Sequence, residues 1–388
     1  MISIFIALGY IKGNIKQTII SIIGISLSIS VLAISIGIAN GLGENTINNL
    51  LYFSPHIKVR NISSNILDYK KELQQIQSLD ESIKAFPKCS GKGIIKYQNF
   101  HLKYTDGVLI EGIEEEDLKK ILKINNKLIE GEIDFKEPSN ILIGKELADI
   151  LKAKVGDAIK IISSENKEMN FNIKGIFFFG FYEYDLNMVI IPLKTAQVLL
   201  DIEGTSEINI KLDDIYKADG IAKKIQEKLN LNAKPWTLLN RQLLKGILLE
   251  KRVMITLLSL LLLIAAFLVG SLMTSIVRNK KREIGILRAL GISKNTIESI
   301  FIFISLILST LGFLLSLVIS SIIIFILKKF TFNFVSEVYY IPDKIPFILS
   351  IKEYLYISLA SLITSLLTSI SPSRAAAKLS PQEVLKYE

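Results

Sequence analysis

Residues 278–296 read Arg278-Asn-Lys-Lys-Arg-Glu-Ile-Gly-Ile-Leu-Arg-Ala-Leu-Gly-Ile-Ser-Lys-Asn-Thr296, a short basic stretch strung between two hydrophobic runs that are each long enough to cross a bilayer. Within it, 282–290 has helical spacing. Ile284, Leu287 and Leu290 fall near one stripe, and Arg282, Glu283 and Arg288 project elsewhere. Gly291 suits a left-handed cap, and Ser293 suits the N-cap of the run that follows. Two uses fit such a helix. Its charges can meet lipid headgroups as a topogenic loop, or the stripe can seat on a cytoplasmic partner.

The flanking runs belong to a set of four apolar segments, at 19–42, 253–277, 297–327 and 354–370. The first three exceed the roughly 20 residues that a ~30 Å hydrocarbon core requires. The fourth is shorter and rich in Ser and Thr, whose hydroxyls bond back along their own helix or across to a neighbour, so it is expected to pack against the other spans. The stretch 1–18 carries Ile2, Phe5, Ile6 and Leu8 ahead of Lys12 and Lys16, which fits either a helix lying in the inner interface or an extension of the first span. It does not read as a cleaved signal, because the apolar run from Ile19 is longer than an h-region.

Charge sets the orientation. The chain holds 46 Lys+Arg and 37 Asp+Glu, a net of +9. Residues 1–18, 278–296 and those after Pro372 together carry eleven basic side chains against three acidic, a net of +8, which leaves +1 for the rest. Nearly all of the basic excess thus sits on three short segments, as expected for the cytoplasmic face of a four-span protein. Once located there, it gives no support to nucleic-acid binding.

Residues 43–252 are interrupted by charge everywhere and read as a folded domain outside the cytoplasm. Alternation and β-branched enrichment predict strands at 56–61, 92–104, 108–113, 158–162, 171–178, 188–191 and 207–211; helical spacing predicts helices at 66–79, 114–122, 144–151, 193–200 and 215–229. The mixture lacks a strict βαβ rhythm. It implies an α+β domain, with a mostly β piece inserted into an α/β piece. Residues 151–157 read as a helix end and a Gly-Asp turn into a strand.

Cys89 is the single cysteine, which rules out an intrachain disulfide, and His56 and His101 are the only histidines. A zinc ligand set and a Ser/His/Asp triad have no supporting pattern. The six-residue Gly spacings at Gly107–Gly112 and Gly175–Gly180 are followed by Ile113 and Phe181 where a P-loop needs Lys. No catalytic residue and no metal site is expected, and energy must come through a partner. After the fourth span, Ser380-Pro-Gln-Glu383 has the form of a capping box for a short final helix.

The 280–297 stretch and the C-terminal 372–388 resemble the FtsX-like, MacB-type ABC transporter permeases. Further stretches at 38–59, 141–162, 171–197 and 235–254 are similar to the lipoprotein-releasing permeases LolC and LolE, with Asn40-Gly41, Ser54-Pro55-His56, Tyr182-Glu-Tyr-Asp185 and Trp236…Glu250-Lys251 the more selective marks. The resemblance implies an α-helical membrane protein with four transmembrane helices plus a large α+β extracytoplasmic domain of Porter-like (about 54–88 and 205–231) and Sabre-like parts. It also implies a domain plan of 1–18 N-terminal helix, 19–42 first span, 43–252 periplasmic domain, 253–277 second span, 278–296 coupling loop, 297–327 third span, 328–353 external loop, 354–370 fourth span and 371–388 cytoplasmic tail.

Partners follow from the same resemblance. A separate cytoplasmic ABC ATPase, which would bind ATP and Mg, would dock on Arg282, Glu283, Ile284, Leu287, Arg288, Leu290 and Gly291. A second permease copy or paralogue would complete a cavity in the bacterial inner membrane for lipoprotein acyl chains. Ile36, Ala39 and Leu42 near the outer end of span one, and Met254, Leu257 and Leu261 at the start of span two, lie at the depth where such chains would enter. A soluble periplasmic carrier would accept the released cargo. LolC-type permeases use a long proline-containing hairpin to recruit that carrier; the corresponding turn here, 163–170, is short and lacks Pro, which favours a LolE-like architecture or a permease that pairs with itself. Two other activities use this fold: MacB-type export of peptides, antibiotics or toxins, and FtsX-like mechanotransmission to a cell-wall hydrolase without transport.

Overall fold

A computed structural model describes residues 2–61, 65–98, 103–229, 231–329 and 345–379. Among them the chain begins with α1 (Ile2–Gly13) and α2 (Ile15–Phe53), followed by β1 (Ile57–Arg60), α3 (Tyr69–Gln77), β2 (Lys84–Gln98), β3 (Lys103–Ile113) and α4 (Glu115–Lys120). It continues through β4 (Leu128–Gly131), β5 (Asn140–Gly144), α5 (Lys145–Leu151), β6 (Ala158–Ser163), β7 (Glu168–Phe177), α6 (Tyr182–Asn187), β8 (Met188–Pro192) and α7 (Leu193–Leu200). Next come β9 (Glu207–Lys211), α8 (Ala218–Leu229), β10 (Asn232–Pro235), α9 (Trp236–Leu239), α10 (Arg241–Asn279), α11 (Lys281–Ala289), α12 (Lys294–Lys329) and α13 (Ile351–Ala377). Two compact units result: one from the chain up to Glu44 and the residues described from Gly246 onward, the other from Asn45–Lys245.

In the first unit, α2, α10, α12 and α13 are each long and apolar enough to cross a membrane. Their shared core takes Ile25, Ile29, Leu32 and Ala33 from α2, Leu262, Ala265, Val269 and Met273 from α10, and Ile300, Phe301, Ile304 and Leu308 from α12. With no hydrophobic drive between helices in lipid, close approach depends on small residues. Gly312 of α12 receives Ile25, and an added Cβ there would lie 2.5 Å from that side chain. Ser361, Ser365, Ser369 and Ser373 form a buried i, i+4 stripe on α13, which packs along α12 as its hydroxyl content implied.

Helix limits run past the domain plan at several places, as at α10, which begins at Arg241. The first-span helix runs on to Phe53, with no break at 42. α13 passes through Pro372 to Ala377, because Ala376 and Ala377 are good helix formers buried in the shared core. α1 is a helix of its own, broken from α2 at Asn14 and packed on α12 through Ala7, Tyr10 and Ile11. The expected final helix at 380–388, the loop 330–344 and His101 lie outside the described residues.

The second unit is built on a ten-stranded sheet of order β10-β1-β9-β2-β3-β8-β5-β7-β4, with β6 paired to β2 and β7. The long strand β2 joins its two halves: Lys84–Lys88 pair with β9, and the stretch from Cys89 pairs with β3. The cores divide at the same place. One gathers Ile57, Val59, Ile76, Ile208, Ile210, Ile225 and Trp236; the others draw on residues 89–200, together with Phe53 and Phe86. This is the expected α/β part with a mostly β part inserted. The 151–157 turn forms as read, with Lys152 and Gly156 at positive φ and the Asp157 carboxylate accepting from Lys154 N (2.8 Å). β6 and β7 make the short hairpin expected at 163–170, with Asn166 at φ 58°.

Candidate functional site

The helix α11, between the second and third spans, is fixed at both ends. Lys280 N donates to Ile276 O (2.8 Å), which makes a tight turn out of α10. At the far end Gly291 takes φ 92°, Ile292 N donates to Leu287 O (3.1 Å), and Ser293 Oγ accepts from Thr296 N (3.2 Å) to cap α12. Ile284 is only 1% exposed and Leu287 is half-buried; both belong to the shared core of the unit. Arg288 is half-buried too, and its Nη1 donates to Ile292 O (2.9 Å). Ile284, Leu287 and Arg288 therefore hold α11 in place. The outward face carries Arg282, Glu283, Ile286 and Leu290, the last 77% exposed. Glu283 pairs with Lys280. Ile286 was missed because the sequence pattern alone does not say which of two apolar stripes faces the core.

The six residues placed near the outer ends of the first two spans do not form one surface. Ile36 is buried in the shared core, Met254 packs against it, and Ala39, Leu42 and Leu261 are half-buried. Leu257 is 61% exposed and lies on a stripe of α10 with Val253, Leu260, Ile264 and Phe267, at i, i+4, i+7 spacing.

Above them is a polar clamp that sequence reading did not assemble. Lys251 Nζ of α10 donates to Asn40 Oδ1 of α2 (2.7 Å), and Asn40 Nδ2 donates to both carboxylate oxygens of Glu353 on α13 (3.0 and 3.2 Å). Glu353 also closes a capping box with Ser350. The residues ahead of α13 lie on α2: Ile348 N donates to Gly37 O (2.9 Å), and a Cβ on Gly41 would fall 2.2 Å from Pro346 O. The outer ends of three spans are thereby tied together. The Ser350-x-x-Glu353 pattern ahead of an apolar run was the available signal.

The remaining marks of resemblance converge where α2 ends in the second unit. Lys211 Nζ is buried and donates to the carbonyls of Leu51, Tyr52 (2.8 Å) and Ser54 (2.7 Å), satisfying the C-terminus of that helix. Burial pushes this ammonium down to about 7, with the Lys88 charge adding to the effect. Ser54 shares a hydrogen bond with Tyr184, and Asn49 Nδ2 donates to Gly180 O (2.9 Å). Asp185 accepts from the N–H groups of Phe179 (2.7 Å), Gly180 (2.9 Å) and Phe181 (3.2 Å); burial lifts its carboxyl to about 6 against those bonds. His56 Nδ1 accepts from Leu212 N (2.9 Å), and burial holds the imidazole neutral with its pKa near 4. His56 O in turn accepts from Trp236 N (2.9 Å). These residues build a joint at the end of α2.

Beside the joint, Glu207 is fully buried among Arg60 (2.7 Å), Lys88 (3.1 Å) and Lys58 (3.2 Å), and Lys88 also pairs with Glu111 (2.9 Å). Burial alone would raise the Glu207 pKa, but Lys88, Lys58 and Arg60 outweigh it and hold the carboxyl down near 2. Cys89 is buried, and burial raises its thiol to about 11, so it is an inert core residue.

Comparison with known proteins agrees with this architecture. Residues 18–228 match the MacB-like periplasmic core domain and residues 255–381 the FtsX-like permease C-terminal domain. The chain is 31% identical over 409 residues to the lipoprotein-releasing system transmembrane protein LolC of Buchnera aphidicola subsp. Schizaphis graminum, covering 100% of this chain and 99% of that protein. LolC of Xylella fastidiosa strain 9a5c is 25% identical with the same coverage, and LolE of Haemophilus influenzae is 26% identical over 98% of both chains. Four membrane-crossing helices and a periplasmic core domain make this a multi-pass protein of the inner membrane. The chain belongs to the FtsX-like, MacB-type ABC transporter permeases, as a relative of the lipoprotein-releasing membrane proteins LolC and LolE.

Proposed function

We propose that this chain is the permease subunit of an ABC-type lipoprotein-releasing complex, drawing lipoproteins from the outer leaflet of the inner membrane and passing them to a periplasmic carrier. The observation that carries this reading is the similarity to LolC and LolE along the whole chain. ATP hydrolysis falls to a separate subunit seated on the Arg282, Glu283, Ile286 and Leu290 face of α11. Because Ile284 and Leu287 bind α11 into the core shared by α2, α10 and α12, a displacement of that face moves the spans and is not lost in the loop. α2 then carries the motion as one unbroken helix to Phe53, where Lys211 holds its last carbonyls.

The exposed stripe of α10 around Leu257, faced by a second permease copy or paralogue, offers the apolar wall that acyl chains need. Exposing such chains to water costs about 0.8 kcal/mol per CH₂, so a multiply acylated cargo requires driven closure. Purification of the full-length protein in mild detergent, with mass spectrometry of everything that co-elutes, tests the reading. A separate ATPase together with acylated lipoprotein supports it. A bound cell-wall hydrolase without lipoprotein, or a small-molecule or peptide cargo, would replace it with the regulator or exporter activity.

A further inference from the structure

At the cytoplasmic end of the membrane unit, where the α10 stripe ends at Phe267, lies a groove of about 620 Å³. Arg278 and Gln17 stand at its mouth, Ser271 and Ser275 along its wall, and Gly270 and Phe267 deeper in. Among the described residues no carboxylate lines it. Arg278 has neither a hydrogen bond nor an ion pair among the described residues, although Glu283 lies only five positions on and is paired instead with Lys280. Many hydroxyls of the spans, such as those of Thr310, Ser358 and Thr364, donate back to their own helix. Those of Ser271 and Ser275, like the Gln17 amide, have no such bond, so their donors stay available. One unpartnered guanidinium and several unspent donors, without a competing acid, are suited to an anion with several acceptor oxygens.

The depth of the groove narrows the choice of anion. Phe267 is eleven residues from Arg278 on one continuous helix, which at 1.5 Å per residue places it about 16 Å deeper, or roughly half of a ~30 Å hydrocarbon core. The groove therefore has a charged mouth and an apolar floor separated by one leaflet, and Phe267 is 74% exposed. Gly270 keeps the passage open: a Cβ there would meet nothing nearer than Thr368 at 3.7 Å, so a larger side chain would fit the backbone and fill the space.

We propose that this groove binds one phospholipid of the cytoplasmic leaflet, with its phosphodiester on Arg278, Gln17 and Ser275 and an acyl chain along Gly270 and Phe267. The test uses the full-length protein in phosphatidylcholine nanodiscs doped with phosphatidylglycerol that carries a diazirine midway along one acyl chain. Irradiation should place adducts at Phe267–Gly270 and around Thr368. Arg278→Gln should lower their yield about tenfold, the loss expected when a charge-assisted contact is removed, and Arg278→Lys should restore part of it. Gly270→Leu should abolish the adducts, and Lys12→Gln should leave them unchanged, with equal monodispersity of every variant as the folding control.

Three results would overturn the proposal. Adducts spread evenly over exposed residues such as Leu311 and Leu314, and indifferent to Arg278→Gln, would mean bulk lipid. Loss of the adducts on adding inorganic phosphate would mean a free-anion site. Disulfide-linked dimers of Thr274→Cys, with no lipid adduct at the groove, would mean that a second copy of the chain covers it.

Discussion

Replacing Glu207 by Gln should weaken the periplasmic unit by an amount that depends on pH in a defined way. The carboxylate is fully buried, accepts from Arg60 Nε (3.0 Å) and Nη2 (2.7 Å), and is flanked by Lys88 and Lys58. Its pKa stands near 2 in the folded chain against an ordinary value of 4.5. A depressed folded pKa gives stability that is present above the unfolded value and lost as pH falls through the folded one. The window is therefore pH 4.5 down to 2, and the shift corresponds to about 3 kcal/mol. At neutral pH Glu207→Gln should cost on that order, because it leaves Arg60 and Lys58 without their carboxylate and Lys88 with Glu111 alone. Near pH 2 the protonated acid and the amide are alike, and the two proteins should converge. Trp236, the single tryptophan, is buried in the same unit, so its fluorescence in urea follows this unit within the full-length protein. A neutral-pH cost below about 1 kcal/mol, or a difference that stayed constant from pH 7 to pH 3, would refute the network's assigned role.

Three further outcomes follow from the membrane unit. Glu283→Lys and Leu290→Glu should each leave the permease inserted but weaken ATPase co-purification about tenfold, the scale of one seated interface contact, whereas Lys280→Ala should do little; normal ATPase retention in both would remove α11 as the docking face. Gly41→Val should unseat the segment ahead of α13 and abolish release while the ATPase still binds, because its Cβ meets the Pro346 carbonyl; unimpaired release would show that the tie between the outer ends is dispensable. In intact spheroplasts an external thiol reagent should modify Ser164→Cys in the β6–β7 turn and spare Asn279→Cys; the reverse pattern would invert the topology drawn from charge.

Most of this architecture was readable because membrane spans and charge asymmetry are properties of composition over long windows. Local elements were readable where a pattern was long enough to be periodic, as for β7 and α8. The first half of β2 was not, since Pro87 argues against a strand; it is tolerated there because only β9 pairs at that point, before the β3 ladder begins at Cys89. β5 reads Asn-Ile-Leu-Ile-Gly and is buried throughout, so it shows no alternation, and β4 and β10 are four residues each.

At the site, the coupling helix and its caps were legible, but which face it buries was not. Ile284 and Leu287 look from the sequence like a docking stripe, and only packing into the shared core of the membrane unit makes them anchors. Ser54, His56, Tyr184, Asp185 and Trp236 stood out as marks of resemblance without any visible task. Their task needs residues far apart in sequence to meet at the end of α2, together with Lys211, which nothing in the local sequence distinguishes from any other lysine.

The most direct test of the transport role is photocrosslinking from Leu257, with Ile36, Ala39, Leu42, Met254 and Leu261 in parallel, in membranes that contain the ATPase and acylated lipoprotein. The expected result is a lipoprotein adduct at Leu257 without ATP that disappears when ATP is added, with weak or no adducts from the buried Ile36. Absence of any lipoprotein adduct from all six positions, in a complex that still hydrolyses ATP, would contradict the claim that this permease handles lipoprotein.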